Sequence, residues 1–357
     1  MPYCDASFDS AIEFLRQGFV ASLPMDPFRY KYSSDLARAL HHRVQISGSI
    51  RDLDELISLH ESSTNSAKNP SDRSRAFCLL GYALKDRFEM EGRDSDSERC
   101  ENAFEKALEE TPFENTTKAL ILTGLGAALL RGLPIRDPIP KSTLDRAIHL
   151  VEQGIACALP DDPNRIKYQT WLCNALLKRF QPTANVEILE RAITLSENFL
   201  NLTPQHDEEL PDMYALRCSA LHLRYRVNND MSDLNEAILL AEKSVSAAGP
   251  FKHVQAERLH TLSRALIDRI IETHSIADSH RAVEVLETAI TALPIGHVRR
   301  PFYLHDLGIS LICLPPELQG PGPLTRAIAL YQDAADTLIN SSSSFLYARG
   351  WGYDLNL

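Results

Sequence analysis

The sequence is poor in aromatic residues, at 7% of 357 positions, and Leu and Ala dominate its apolar set. That mix favours close-packed helices over strands. It has no apolar run of about 18 residues, so nothing in it is expected to span a membrane. It also has no run of Lys and Arg. With 37 basic against 48 acidic residues and a net charge of −11, the basic footprint of a nucleic-acid binder is missing. The N-terminus, "MPYCDASFDSAIEFLRQGF", lacks the basic-then-apolar layout of a secretory signal, and a cytoplasmic location follows as the expectation. The seven cysteines form no C-x-x-C pair, and they read as small buried hydrophobes in a reducing compartment. H-E-x-x-H, G-x-S-x-G and G-x-x-x-x-G-K-[ST] are all missing. No cofactor, metal or catalytic constellation is therefore expected, and the chain reads as a non-enzyme.

What is present is a repeat. "LDRAIHLVEQGIACALP" begins at 144, "LERAITLSENFLNLTP" at 189, "LNEAILLAEKSVSAAGP" at 234 and "HRAVEVLETAITALP" at 280. The residue just before the Ile or Val of each phrase, with Cys100 before Glu101 in the third, gives the set Ala11, Leu56, Cys100, Ala147, Ala192, Ala237, Ala282 and Ala327, with gaps of 45, 44, 47, 45, 45, 45 and 45. So steady a period signals a repeat architecture. Each phrase has apolar residues on helical spacing. Start signals precede several copies: "SDSE" at 95–98 in capping-box form, Ser142 and Ser232 at N-cap positions, and Pro321 and Pro323 opening the last copy. Pro24, Pro70, Pro112, Pro160, Pro204, Pro250 and Pro294 follow as stop signals.

A second set of helical lines lies between the prolines and the next phrases, among them "FCLLGYALKDRF", "TWLCNALLKRF" and "LHTLSRALIDR". Each centres on a small or short residue: Ala37, Gly81, Gly126, Asn174, Ser219, Ser263 and Gly308. Glycine inside a helix costs up to about 1 kcal/mol, so close backbone packing is the expected reason for it. The units are thus helix–turn–helix pairs that bury their apolar faces on one another. The expected fold is all-α, with about 15 helices in a right-handed α-solenoid of antiparallel pairs. One array is expected over 1–340, with a tail at 341–357 that reads as the start of another first helix. HEAT and armadillo units have similar lengths and are the structural alternative.

The line "CENAFEKALEETP", preceded by "LLGYAL", resembles the tetratricopeptide repeat. The family standard is 34 residues per unit, whereas the period here is 45 at most steps, and the surplus is expected mainly between the first and second helices of a unit. Elongated units of this kind are similar to tetratricopeptide arrays in large fungal proteins, where the array often accompanies a caspase-like CHAT peptidase or a nucleotide-binding domain. The resemblance implies a scaffold that holds a peptide or helix of another protein in a concave groove. The alternative is the regulatory array of a larger CHAT-peptidase or NTPase-type signalling protein; the roughly 17 residues after the last helix are too few for such a domain.

If first helices line the groove, as in that family, the groove-facing candidates are Arg38, His41, Tyr82, Lys85, Tyr168, Trp171, Lys178, His260 and Arg264. Trp171 flanked by Tyr168 and Lys178 is the best anchor, because aromatic and basic side chains dominate binding energetics. His260 and Glu257, three apart, share a helix face. Arg43, Arg87, Arg131, Arg179, Arg224 and Arg269 recur at the ends of first helices. They read as architecture, with Asp54, Asp145 and Glu190 placed to pair with them, rather than as an anion-binding ridge. "NNDMSDLNEAIL" at 228 lacks the Gly and bidentate Glu of a calcium loop and reads as a turn with a cap.

Overall fold

The computed structural model describes residues 3–23, 29–111, 115–131, 140–180, 184–202, 210–247, 252–293, 297, 299–314 and 318–340. The tail expected at 341–357 lies outside them, as do Pro24, Pro112, Pro204, Pro250 and Pro294 and the side chain of Arg131. Among the described residues there are fifteen α-helices and no strand. They divide into two compact units. Unit 1, Met1–Glu114, holds α1 (Tyr3–Ala21), α2 (Arg29–Ser47), α3 (Ile50–Ser66), α4 (Pro70–Glu91) and α5 (Asp94–Glu110). Unit 2, Asn115–Leu357, holds α6 (Asn115–Arg131), α7 (Lys141–Cys157), α8 (Arg165–Phe180), α9 (Val186–Leu202) and α10 (Leu210–Asn228). It continues with α11 (Met231–Ser246), α12 (Lys252–Thr273), α13 (Ile276–Ala292), α14 (Arg300–Ile312) and α15 (Pro321–Asn340). The even-numbered elements are the first helices of the repeat and the odd-numbered ones the second helices. Within each unit every helix packs on the next, and in unit 2 first helices also touch first helices: α6 on α8, α8 on α10, α10 on α12 and α12 on α14.

The recurring phrase is the buried wall of this stack. Ala147, Ala192, Ala237, Ala282 and Ala327 are fully buried and Leu56 and Cys100 nearly so. Ala11 is exposed, because among the described residues no first helix packs on α1 ahead of it. The central glycines are close-approach points, as their sequence position suggests. A Cβ on Gly81 would meet the Phe104 ring at 2.8 Å, and one on Gly126 would meet Val151 at 2.6 Å and the Ala147 carbonyl at 2.9 Å. Gly308 is closed in the same way by Tyr331 at 2.7 Å.

In the pairs α2–α3, α4–α5, α10–α11 and α12–α13 the extra length is not in a loop between first and second helices. Those links are only two residues long after α2, α4, α10 and α12, and the surplus lies in helices of 16 to 22 residues. A single left-handed residue stands in each of these links (Gly48, Gly92, Asn229 and His274), and Ala184 ahead of α9 has the same conformation, at φ from 47° to 68°. In every case its N–H donates to the carbonyl four residues back, at 2.7 or 2.8 Å. This is the C-terminal cap that satisfies an orphan helix carbonyl. A cap of the second helix follows at once: Ser49 accepts from the Asp52 N–H, Asp230 from Ser232, and Ser275 from Asp278.

Several boundary expectations are corrected. Pro70 opens α4 instead of ending α3, because the first turn of a helix needs no proline N–H. The N-cap of α7 is Pro140, which places Ser142 inside the helix, and Asp230 rather than Ser232 caps α11. At 95–98 no capping box forms, since α5 begins at Asp94 and Asp96 is turned inward to an arginine. Pro321 and Pro323 do open α15.

The arginine ladder is architectural. Arg87 donates from Nε and Nη2 to Asp96 at 2.7 and 2.6 Å, and from Nη1 to Asp54 at 2.6 Å. One side chain thus ties a first helix to its own second helix and to the preceding second helix. Arg43 bonds Asp52 and Asp9, Arg224 bonds Asp233 and Glu190, and Arg269 bonds Asp278 and Asn235 in the same arrangement. Arg179 bonds Asp145 at 2.7 Å. The pairings expected for Asp54, Asp145 and Glu190 are present. The partner nine residues after the arginine was not legible, because Asp52, Asp96, Asp233 and Asp278 look in sequence like ordinary first-turn acids.

Candidate interaction face

The candidate face is built where one first helix meets the next in unit 2. Consecutive first helices touch from α8 through α14, and side chains bridge each step. Thr170 Oγ1 on α8 lies 3.1 Å from the Met213 sulfur on α10. His222 Nε2 on α10 is 2.6 Å from Asp268 Oδ2 on α12, and Tyr225 donates to Glu272 at 3.2 Å. His260 Nε2 on α12 is 2.7 Å from Asp306 Oδ2 on α14, Arg258 donates to Asp212, and Arg299 donates to Glu257.

His260 is held between two neighbours on α14. Its ring stacks on Tyr303 with centroids 4.2 Å apart. Asp306, only 18% exposed, also receives His305 Nδ1 at 3.3 Å. Burial pushes the Asp306 carboxyl up, but the bonds from His260 and His305 outweigh it and hold the carboxyl below the usual carboxylate range. Glu257 shares a helix with His260 but is engaged by Arg299, so the two do not form a dyad.

The other expected residues divide by exposure. In unit 2, Arg264 is exposed one turn beyond His260, and Lys178 is half-buried. Tyr168 is fully buried and offers no surface to a partner, which corrects its placement as a flank of the anchor. Trp171 is only 9% exposed, with Tyr168 at a centroid distance of 6.2 Å. The cation over its ring is Lys167, with Nζ 5.4 Å from the centroid. In unit 1, Arg38 and His41 on α2 are exposed, with Arg38 3.3 Å from Asp35. Tyr82 packs edge-on to Phe104 at 5.1 Å, and Lys85 is neutralised by Asp86 and Glu89, each at 2.9 Å. The sequence reading missed Lys167, His222, Arg226 and Asp268.

Burial pushes the thiols of Cys78, Cys173 and Cys218 up to about 12, so none is a thiolate near neutrality. Among the described residues no group of three His, Cys, Asp or Glu side chains is placed to hold a metal ion, and no helix is long and apolar enough to cross a membrane.

No family model and no curated protein matches the chain. Solved structures do. A Rap protein complexed with competence and sporulation factor is 12% identical, with 98% of this chain and 93% of that one covered at a TM-score of 0.53. A Podospora anserina putative kinesin light chain with nearly identical TPR-like repeats is 17% identical, over 65% of this chain and 99% of that one, at 0.41. Human IFIT1, as a dimer with m7Gppp-AAAA, is 15% identical over 99% and 75%, at 0.49. The fold is an all-α helical repeat. The Rap alignment carries that likeness over nearly the full chain, and the helix pairs described above supply it independently.

Proposed function

We propose that this chain is a non-catalytic protein-interaction scaffold of the cytoplasm that takes a peptide or helix of another protein on the face of its first helices. The observation that supports this most directly is the shape of the polar network. Side chains bridge α8 to α10, α10 to α12 and α12 to α14. They form one extended, pre-ordered surface rather than a closed pocket, and extended surfaces are how repeat arrays bind. Pre-ordering reduces the entropy cost of binding. The Rap protein is complexed with competence and sporulation factor, which is in keeping with this reading. A second reading, a regulatory array within a larger fungal CHAT-peptidase or NTPase-type protein, draws only on unit length; a His and Cys pair encoded in the reading frame beyond Leu357 would support it.

Parallel affinity captures test the scaffold reading. One bait carries charge reversals on first helices (Arg264→Glu, Lys178→Glu), the other on second helices (Glu236→Lys, Arg326→Glu). Partners recovered by the unaltered protein should disappear from the first bait and persist on the second. Equal recovery from both baits, or loss from the second alone, contradicts it.

A further inference from the structure

The two helix sets of unit 2 carry opposite charge. Its first helices, α6, α8, α10, α12 and α14, hold 14 Lys and Arg against 5 Asp and Glu, a balance of +9. Its second helices, α7, α9, α11, α13 and α15, hold 6 against 13, a balance of −7. The chain as a whole stands at −11. A basic set of first helices within an acidic protein is a local feature, not a consequence of overall composition.

The few acids on the basic side are also occupied. Asp212 is bonded by Arg258, Glu257 by Arg299, Asp268 by His222 and Glu272 by Tyr225. Asp306 is bonded by His260 and His305. All five carboxylates on the first helices of unit 2 therefore point into the bridges between helices. Among the cations, Arg179, Arg224 and Arg269 turn toward second-helix acids. Arg264 remains exposed on the face, with no hydrogen bond or ion pair among the described residues. Arg226, one turn from His222, is exposed and only loosely paired, 3.8 Å from Asp268.

We infer that the segment held on the first-helix face of unit 2 is an acidic peptide, recognised by Arg264 and Arg226 on either side of the His222–Asp268 bridge. This rests on the scaffold reading above and adds the partner's chemistry to it. A peptide fits better than a nucleic acid. The acidic second helices lie one helix diameter behind the face, about 10–12 Å and thus near the Debye length, so a long polyanion meets repulsion that a short segment avoids. Trp171, the aromatic that would serve as a platform for single strands, is buried against Tyr168.

Fluorescence anisotropy with the whole chain and four labelled probes decides the matter: a short Glu–Ala peptide, its Lys–Ala and Gln–Ala counterparts, and an RNA oligonucleotide of equal length. The Glu–Ala peptide should bind best and weaken with added salt. Arg264→Glu should weaken it by about tenfold, Arg264→Lys should restore most of the loss, and Glu236→Lys on a second helix should leave binding intact. Arg264 is exposed, so an unchanged circular dichroism melt is expected for its variants. Preference for RNA or for the Lys–Ala peptide, no binding of the Glu–Ala peptide, or indifference to Arg264→Glu overturns the inference. If the Gln–Ala peptide binds best and first-helix substitutions abolish it, the acidic partner is wrong while the scaffold reading stands. If only second-helix substitutions weaken peptide binding, both fall.

Discussion

Replacing Arg87 by leucine is expected to cost about 3–5 kcal/mol of stability, the effect of stranding a buried charge. Asp96 is completely buried, and its two oxygens accept from Nε and Nη2 of an arginine that is itself only 10% exposed. Removing the cation leaves a buried carboxylate with only the longer contact from Arg99, at 3.4 Å, in place of two short bonds. Asp54, by contrast, is 47% exposed, and Asp54→Ala should cost less than about 1 kcal/mol. The double change Arg87→Leu with Asp96→Leu should recover much of the loss, because two apolar groups of similar size replace the pair. Urea unfolding of the four proteins, followed in parallel by hydrogen exchange on α4 and α5, measures this. Equal and small effects for Arg87 and Asp54 would show that the ladder is decoration.

Acidification should destabilise unit 1 through His60. The side chain is 8% exposed on α3, and burial, with a smaller contribution from His41, lowers its pKa from 6.5 to about 4. The unfolded chain therefore binds a proton that the folded chain refuses between those values. Stability is full above about pH 7 and falls as pH drops through 6.5 toward 4, by about 2 kcal/mol between pH 8 and pH 5 from this one group. His60→Leu removes the ionisable group and keeps the volume. Its stability should change by about 2 kcal/mol less than the parent's over the same interval, measured as the difference in urea midpoints. A parallel loss in both proteins would assign the acid sensitivity elsewhere.

Much of the fold was legible because helix pairing imposes a period on sequence. Ala147, Ala192, Ala237 and Ala282 are fully buried where a larger side chain would force neighbours apart, so the same small residue recurs. The links were not legible, since the left-handed position is filled by Gly48, Gly92, Ala184, Asn229 and His274. The surrounding helices over-determine that conformation and tolerate its cost of about 1–2 kcal/mol for a residue with a Cβ. For the candidate face, the helix assignment was readable but the register was not. A shift of one position separates buried Tyr168 from half-buried Lys167, and periodicity does not resolve one position. The pairing of His222 with Asp268 and of His260 with Asp306 was hidden because each half lies a full repeat from the other.

The central claim is that consecutive first helices of unit 2 lie against one another, one repeat apart in sequence. The contact between the His260 and Tyr303 rings tests it most directly. With histidine and tyrosine ring protons selectively labelled, the stacked rings, 4.2 Å between centroids on α12 and α14, should give a strong nuclear Overhauser cross-peak that disappears in Tyr303→Leu. No cross-peak between these rings in the folded protein, or a strong one joining either ring to a helix that is not its neighbour in the stack, would contradict the account.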